Sequence, residues 1–177
     1  AARGEGVRVT FLPFIVKATV AALKKYPFLN STLDEARGEI RLRRVYHLGI
    51  ASATEQGLVV PVVRDCDTRP VEALQADVER LADGARAGTL AAEELRGSTF
   101  TVTSAGKLAG LFQTPLVNHP EVAILSIGRI AERPVVRDGE VAVARVGYLS
   151  VTFDHRVVDG ARAAGFGLSV IRRLEQR

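Results

Sequence analysis

Three side chains able to carry or balance a proton lie close together in one stretch, Leu149-Ser-Val-Thr-Phe-Asp-His-Arg-Val-Val-Asp-Gly: Asp154, His155 and Asp159. An imidazole exchanges protons near neutrality, so His155 suits general-base work. Asp159, four residues on, is open to two readings: a second acid-base group, or a carboxylate that holds the loop through an ion pair. Gly160 lets the backbone turn or pass close to a neighbour. The plainer alternative for the whole stretch is a polar turn with one surface histidine.

The flanking elements present this turn at a sheet edge. Val141, Val143, Val146, Leu149, Val151 and Phe153 sit among small and polar residues and read as a strand. Ala161 to Leu174 reads as the helix that follows. Earlier in the chain, a helix starts near Leu12-Pro13 with Thr10 as its cap. It is apolar on more than one face and stops at Pro27 after Lys24-Lys25. Strands are expected at Glu39 to Arg44, Tyr46 to Ala53 and Leu58 to Val63, with the Val and Ile content of the last two implying burial on both faces. Val71, Leu74, Val78 and Leu81 set a helical period over Pro70 to Ala87, ended by Gly88. A short helix at Ala91 to Leu95 and a strand at Ser98 to Ser104 follow. Gly106 to Pro115 reads as loop, Asn118-His-Pro as a turn and Val122 to Ile127 as a buried strand. Val135 to Val143 forms a hairpin about Asp138-Gly139. Helices mixed with several hairpins predict an α/β fold with a mixed sheet.

At 177 residues the chain is one domain's worth, enough for a full core. No apolar run is long enough to span a bilayer. Nothing at the start resembles a signal peptide, and Ala1-Ala-Arg-Gly-Glu-Gly reads as a loose end. The single cysteine, Cys66, has no partner for an internal disulfide, which fits a reducing compartment. The net charge of +4 is scattered over Lys24-Lys25, Arg41 to Arg44 and Arg172-Arg173 among acids rather than gathered in a stripe. This argues against nucleic-acid binding. His47 and His119 have no second ligand at metal spacing, so no metal site is expected.

The string Asp154-His-Arg-Val-Val-Asp-Gly contains His-x-x-x-Asp-Gly and resembles the active-site signature of the dihydrolipoamide acyltransferases, the core components of 2-oxo acid dehydrogenase complexes. Six further segments are similar to family segments and occur in family order. They are Phe11-Leu-Pro-Phe, His47-Leu-Gly-Ile-Ala, Gly57-Leu-Val-Val-Pro-Val-Val-Arg-Asp, Phe100-Thr-Val-Thr-Ser-Ala-Gly, Asn118-His-Pro-Glu-Val-Ala-Ile-Leu and Tyr148-Leu-Ser-Val-Thr-Phe-Asp-His. The resemblance runs from Val7 onward. It implies the chloramphenicol acetyltransferase-like fold, a two-layer α/β sandwich with a mixed, largely antiparallel sheet. Positions 1–177 would form a single acyltransferase catalytic domain, trimmed at both ends relative to the family. The preceding part carries, in the family, an arginine that pairs with the motif aspartate.

The resemblance also implies a mechanism: His155 deprotonates the thiol of coenzyme A, and the thiolate attacks the thioester of S-acyl-dihydrolipoyl-lysine. Asp159 would shape the site through a salt bridge. Thr103 would donate the hydrogen bond to the oxyanion, standing where many members have serine; without the resemblance it reads as an ordinary strand residue. In a strand Thr101 and Thr103 share a face and Ser104 points the other way. Thr10, Ser104, Lys107, Gly128 and Ile130 fall at family positions contacting coenzyme A. The lipoyl group would arrive on a separate lipoyl domain. The implied partners are a homotrimer, in which the resemblance sets the histidine of one subunit against the hydroxyl donor of its neighbour, a larger cubic or dodecahedral core, and the 2-oxo acid decarboxylase and dihydrolipoamide dehydrogenase components. The implied compartment is the bacterial cytoplasm or the mitochondrial matrix. Asn118-His-Pro-Glu-Val-Ala-Ile favours acetyl or branched-chain acyl groups over succinyl. Two alternatives stay open: a same-fold acetyltransferase acting on a small alcohol or amine, and an inactive scaffold core.

Overall fold

The computed structural model describes residues 9–55, 57–104, 106 and 110–176. In chain order its elements are α1 (Leu12–Lys25), β1 (Ser31–Asp34), β2 (Glu39–Leu42), β3 (Leu48–Thr54), β4 (Gly57–Val59) and β5 (Val62–Val63). They continue with α2 (Val71–Ala87), β6 (Phe100–Ser104), β7 (Ala123–Ile127), β8 (Ala131–Arg137), β9 (Glu140–Val146), β10 (Leu149–Phe153) and α3 (Gly160–Glu175). Single 3-10 turns lie at Pro27–Leu29 and Ala92–Leu95, the second of which replaces the expected short helix.

The main sheet has the order β10-β7-β6-β3-β4, with β5 also paired to β3. Its two central pairings, β3 with β6 and β6 with β7, are parallel. The outer ones, β10 with β7 and β3 with β4 and β5, are antiparallel. Two hairpins, β1–β2 and β8–β9, are antiparallel ribbons outside it. The sheet is therefore mixed, as the sequence predicts.

Alternation along the strands sets the two faces of this sheet. Leu48 and Ile50 of β3, Phe100 and Val102 of β6, and Ala123, Leu125 and Ile127 of β7 belong to the buried core with the helices. Phe100 meets Phe166 of α3 with ring centroids 5.6 Å apart. α1 buries residues almost all round, from Ile15 to Leu23, as its apolar composition requires. A parallel β6–β7 pair needs a crossover between its strands. Among the described residues the crossover carries no α-helix, and its Gln113 to Asn118 stretch runs over the sheet face that the core does not use.

Several local expectations change. Thr10 does not cap α1: Phe11 is the cap residue and makes no side-chain cap bond. The backbone N–H and hydroxyl of Thr10 both donate to Gln75 Oε1 of α2, at 2.9 Å each. The buried carboxamide out-competes the nearby helix end for the threonine. The strand read from Val141 to Phe153 is two strands in different sheets, β9 and β10, because the chain breaks at Gly147-Tyr148. A Cβ on Gly147 would lie 2.9 Å from Ile130, so only glycine passes there. The strand read from Leu58 to Val63 is split into β4 and β5 around Pro61, whose carbonyl accepts from the Ile50 N–H. Leu58 is 71% exposed rather than buried, since β4 is an edge strand. The Asp138-Gly139 hairpin holds, with both residues at positive φ (53° and 83°), as a two-residue type I′ turn requires.

Candidate active site

β10 leads into the turn that carries His155. The Asp154 N–H donates to Val122 O at 2.8 Å, which extends the β10–β7 pairing by one step. The Asp154 carbonyl then accepts from Val157 N and Val158 N, each at 3.0 Å. Val157 and Val158 are buried and pin the turn from below. His155 stands exposed at its tip with its ring tilted against Phe153, centroids 5.6 Å apart. The Asp154 carboxylate is committed to Arg156: it takes that residue's backbone N–H at 2.9 Å and its guanidinium at 2.7–3.1 Å. These bonds hold Asp154 below the usual aspartate range, so it stays ionised and is no proton donor near neutral pH. Arg156 also reaches Glu35 at 2.9 Å, tying the turn to the β1–β2 hairpin.

Asp159 is the N-cap of α3. Its Oδ1 accepts from Arg162 N at 2.8 Å, and Oδ2 lies 3.5 Å from Arg162 Nε. The carboxylate thus satisfies an orphan N–H of the first turn and complements the helix dipole. Asp159→Ala is expected to lower unfolding stability by about 1 kcal/mol, the usual worth of a cap. Asp159→Asn, an equally good cap, should keep both stability and most of the turnover. Urea melts alongside initial rates check this; loss of turnover in the asparagine variant would make Asp159 an acid-base group instead.

The other hydroxyl-bearing candidates lie elsewhere. Thr101 and Thr103 line one cavity of about 420 Å³ on the open sheet face, while Ser104 does not. This is the face-sharing that the strand period predicts. Ser126 of β7 is the register partner of Thr103 and lines the same cavity, as does Gln113 of the crossover loop. Beside it, Asn118 donates to Thr101 Oγ1 (3.4 Å) and to Glu121 Oε1 (3.3 Å), and Ser98 donates to the same carboxylate oxygen. Burial pushes the Glu121 carboxyl up, and hydrogen bonds from Ser98, Thr101 and Asn118 offset only part of that. Ser126 and Gln113 were not singled out from the sequence. One hydroxyl inside the otherwise apolar strand Ala123-Ile-Leu-Ser-Ile was the available signal for Ser126; Gln113 had none.

Ser104 ends β6, and its register partner Ile127 leads directly into Gly128. Ser104, Gly128 and Ile130 therefore gather at one end of the sheet. Gly128 has a packing reason of its own: a Cβ there would lie 2.4 Å from Leu111 O. Thr10 is engaged with Gln75, as described, and Lys107 lies outside the described residues. His47 is a partly buried acceptor, its Nδ1 taking the Asp65 N–H at 3.0 Å. His119 lies in the expected turn. Cys66 is fully buried, and burial pushes its thiol up to about 11, far from thiolate chemistry. Among the described residues no group of three His, Cys, Asp or Glu side chains is placed to hold a metal ion.

The register separates the two halves of the candidate chemistry. Thr103 lies opposite Ser126, and Ser126 opposite Ser150. His155 lies beyond the far end of β10, five residues past Ser150. Five residues of near-extended chain and two strand spacings put roughly 20 Å between them. One copy of the chain does not bring His155 and Thr103 into one site.

The family model for 2-oxoacid dehydrogenases acyltransferase (catalytic domain) matches residues 1–177. The chain belongs to this acyltransferase family. It is 46% identical over 173 residues to the dihydrolipoyllysine-residue acetyltransferase component of the pyruvate dehydrogenase complex of Bacillus subtilis, covering 98% of this chain. The alignment takes in 39% of that relative, so the chain spans about two fifths of the curated relatives it matches. The dihydrolipoamide acetyltransferase of Azotobacter vinelandii superposes with a TM-score of 0.90 at 37% identity, covering 96% of this chain and 70% of that one. Crystallographic and enzymatic work on that enzyme addresses a serine, a histidine and an asparagine in its catalytic mechanism, spaced 52 and then 4 residues apart. The cubic core of a pyruvate dehydrogenase multienzyme complex superposes equally well, at 0.90 and 38% identity, with the same coverage. A chloramphenicol acetyltransferase, at 14% identity and a TM-score of 0.59 over 94% of this chain and 78% of that one, shows the expected fold. No described helix is long and apolar enough to cross a membrane.

Proposed function

We propose that this chain transfers an acyl group, acetyl in the first place, between dihydrolipoyl-lysine and coenzyme A in a 2-oxo acid dehydrogenase complex. Its site is built from two copies of the chain. The observation that carries this reading is the spacing of three residues on this fold. Thr103 precedes His155 by 52 residues and Asp159 follows it by 4. The serine, histidine and asparagine of the Azotobacter enzyme have the same spacing. Threonine keeps the hydroxyl that serine would offer. Asparagine at the third position cannot serve as a base, which agrees with Asp159 acting as the cap of α3.

In the reaction, His155 takes the proton from the coenzyme A thiol, and the sulfur attacks the thioester carbonyl of the acylated lipoyl arm. The carbon–sulfur bond to coenzyme A forms as the carbonyl π electrons move onto oxygen. Thr103 donates its hydrogen bond to that oxyanion. Collapse of the intermediate breaks the bond to the dihydrolipoyl sulfur, which leaves with the proton held by His155. No acyl-enzyme is needed, and the buried Cys66 takes no part.

The separation of His155 from Thr103 within one chain fits a site shared between neighbouring subunits. A head-to-tail contact that closes into a ring, a trimer in the simplest case, pairs the His155 end of one copy with the Thr103 end of the next. A ring of this kind is also the unit from which a cubic core could be assembled. Ser104, Gly128 and Ile130, together at the Thr103 end, are the proposed coenzyme contacts, with Thr10 and Lys107 as further positions. The lipoyl arm, the 2-oxo acid decarboxylase and dihydrolipoamide dehydrogenase are the corresponding partners. The test is thiol exchange: acetyl-coenzyme A with free dihydrolipoamide should yield S-acetyl-dihydrolipoamide and free coenzyme A. Transfer instead to a small alcohol or amine acceptor, with none to dihydrolipoamide, would overturn the reading.

A further inference from the structure

We propose that the hydrogen-bonded pair Ser126–Gln113 sets the acyl specificity of the cavity beside Thr103, admitting acetyl and opposing branched aliphatic acyl groups. This inference rests on the acyltransferase reading above and goes beyond it by assigning the acyl choice to two residues.

Ser126 and Thr103 are register partners on adjacent strands, so their backbones are about 5 Å apart. Both side chains line the same cavity. Ser126 is 1% exposed, and its hydroxyl donates to Gln113 Oε1 at 2.7 Å. That bond fixes the orientation of the Gln113 carboxamide. Its oxygen is used, while its Nε2 amino group keeps two N–H donors with no acceptor among the described residues. A polar, donor-bearing spot therefore lies next to the hydroxyl proposed to hold the acyl oxygen.

Ala51, Val60 and Ile124 give the same space aliphatic walls, while Thr101 and Asn118, which also line it, are already hydrogen-bonded to each other. Alone they would favour a branched hydrocarbon, and an apolar pocket discriminates poorly among acyl chains that differ by a few methyl groups. The pair changes this balance. An acetyl methyl is small enough to leave a water on the Gln113 amino group. An isobutyryl or isovaleryl group displaces that water and offers no acceptor, so the donors are stranded in a desolvated cavity. Discrimination then comes from an unpaired polar group rather than from size alone.

The experiment compares kcat/KM for acetyl-, isobutyryl- and succinyl-coenzyme A with dihydrolipoamide, in the unaltered protein and in Gln113→Leu and Ser126→Ala. The unaltered protein should prefer acetyl. Both variants should raise the isobutyryl-to-acetyl ratio by roughly 10- to 100-fold, with isobutyryl turnover rising in absolute terms. A general disturbance of the fold would lower both substrates and could not produce that rise. Gln113 is only half-buried in a loop, so its variant carries the test if Ser126→Ala fails to fold. An unmoved ratio with acetyl turnover intact overturns the proposal alone. So does a preference for succinyl in the unaltered protein, which would make the pair a binding point for a polar acyl end. A loss of acetyl turnover in Gln113→Leu as steep as in Thr103→Val overturns it too, since Gln113 would then belong with the oxyanion donor. No turnover of any acyl-coenzyme A by the unaltered protein brings down the acyltransferase reading and this proposal with it.

Discussion

His155→Ala should lower the turnover of acetyl-coenzyme A with dihydrolipoamide by roughly 10²- to 10⁴-fold, the usual worth of a positioned general base. Affinity for coenzyme A should change little. The structure makes this substitution a clean one. The histidine stands at the exposed tip of its turn, and the turn is held by other groups. These are the Asp154 carbonyl bonds to Val157 and Val158, the Asp154–Arg156 fork and the buried valine anchors. Removing the ring forfeits a tilted contact with Phe153 and no backbone support. A thermal melt should therefore be nearly unchanged while the rate collapses. Near-normal turnover at neutral pH would show that the proton is handled elsewhere. Asp154, held ionised by Arg156, is a poor candidate for that task.

Thr103→Val should cost roughly 10²- to 10³-fold in the rate constant, and Thr103→Ser should retain much of the activity because the donor survives. Ser104→Ala is the natural comparison. Ser104 faces away from the cavity, so its loss should leave the rate constant closer to normal and act on the coenzyme KM instead. If valine and serine at position 103 behave alike, Thr103 is only a strand residue. The sharper form of the experiment uses the distance between the two groups. His155→Ala and Thr103→Val subunits are each close to inactive alone. When they are mixed after dissociation and reassembly, hybrid rings should regain activity. In a threefold ring of both kinds, one interface pairs an intact His155 with an intact Thr103, so about one site in three is restored. Assembly, folding and activity are then linked by mass action, and dilution should lower specific activity. No recovery despite confirmed subunit exchange would place each site within a single chain, against the strand register observed here.

Local chemistry was legible in the sequence wherever one short stretch decides the conformation. The strand–turn–helix around His155 follows from period-two and period-3.6 patterns that meet at a polar turn, and α2 follows from its own period. The type I′ hairpin follows from Asp138-Gly139, which tolerate positive φ. The shared face of Thr101 and Thr103 is strand geometry alone. What the sequence left hidden depends on partners distant along the chain. Thr10 looked like a cap because its competitor, Gln75, is 65 residues away. Val141 to Phe153 looked like one strand because apolar alternation continues through Gly147, although Ile130 leaves room there only for glycine. The Ser126–Gln113 bond joins a strand to a loop across 13 residues, and no local signal marks that loop as a cavity wall. The distance between His155 and Thr103 is the strongest case, since the resemblance implies a site shared between subunits but the residues themselves carry no sign of the separation. It is set by which strands pair and in which direction: β10 antiparallel to β7, and β7 parallel to β6. Side-chain period reports only the face a residue takes, not the end of the sheet at which its strand will lie. Only the long-range pairings put the two groups at opposite ends of the sheet, the separation that the proposed shared site answers.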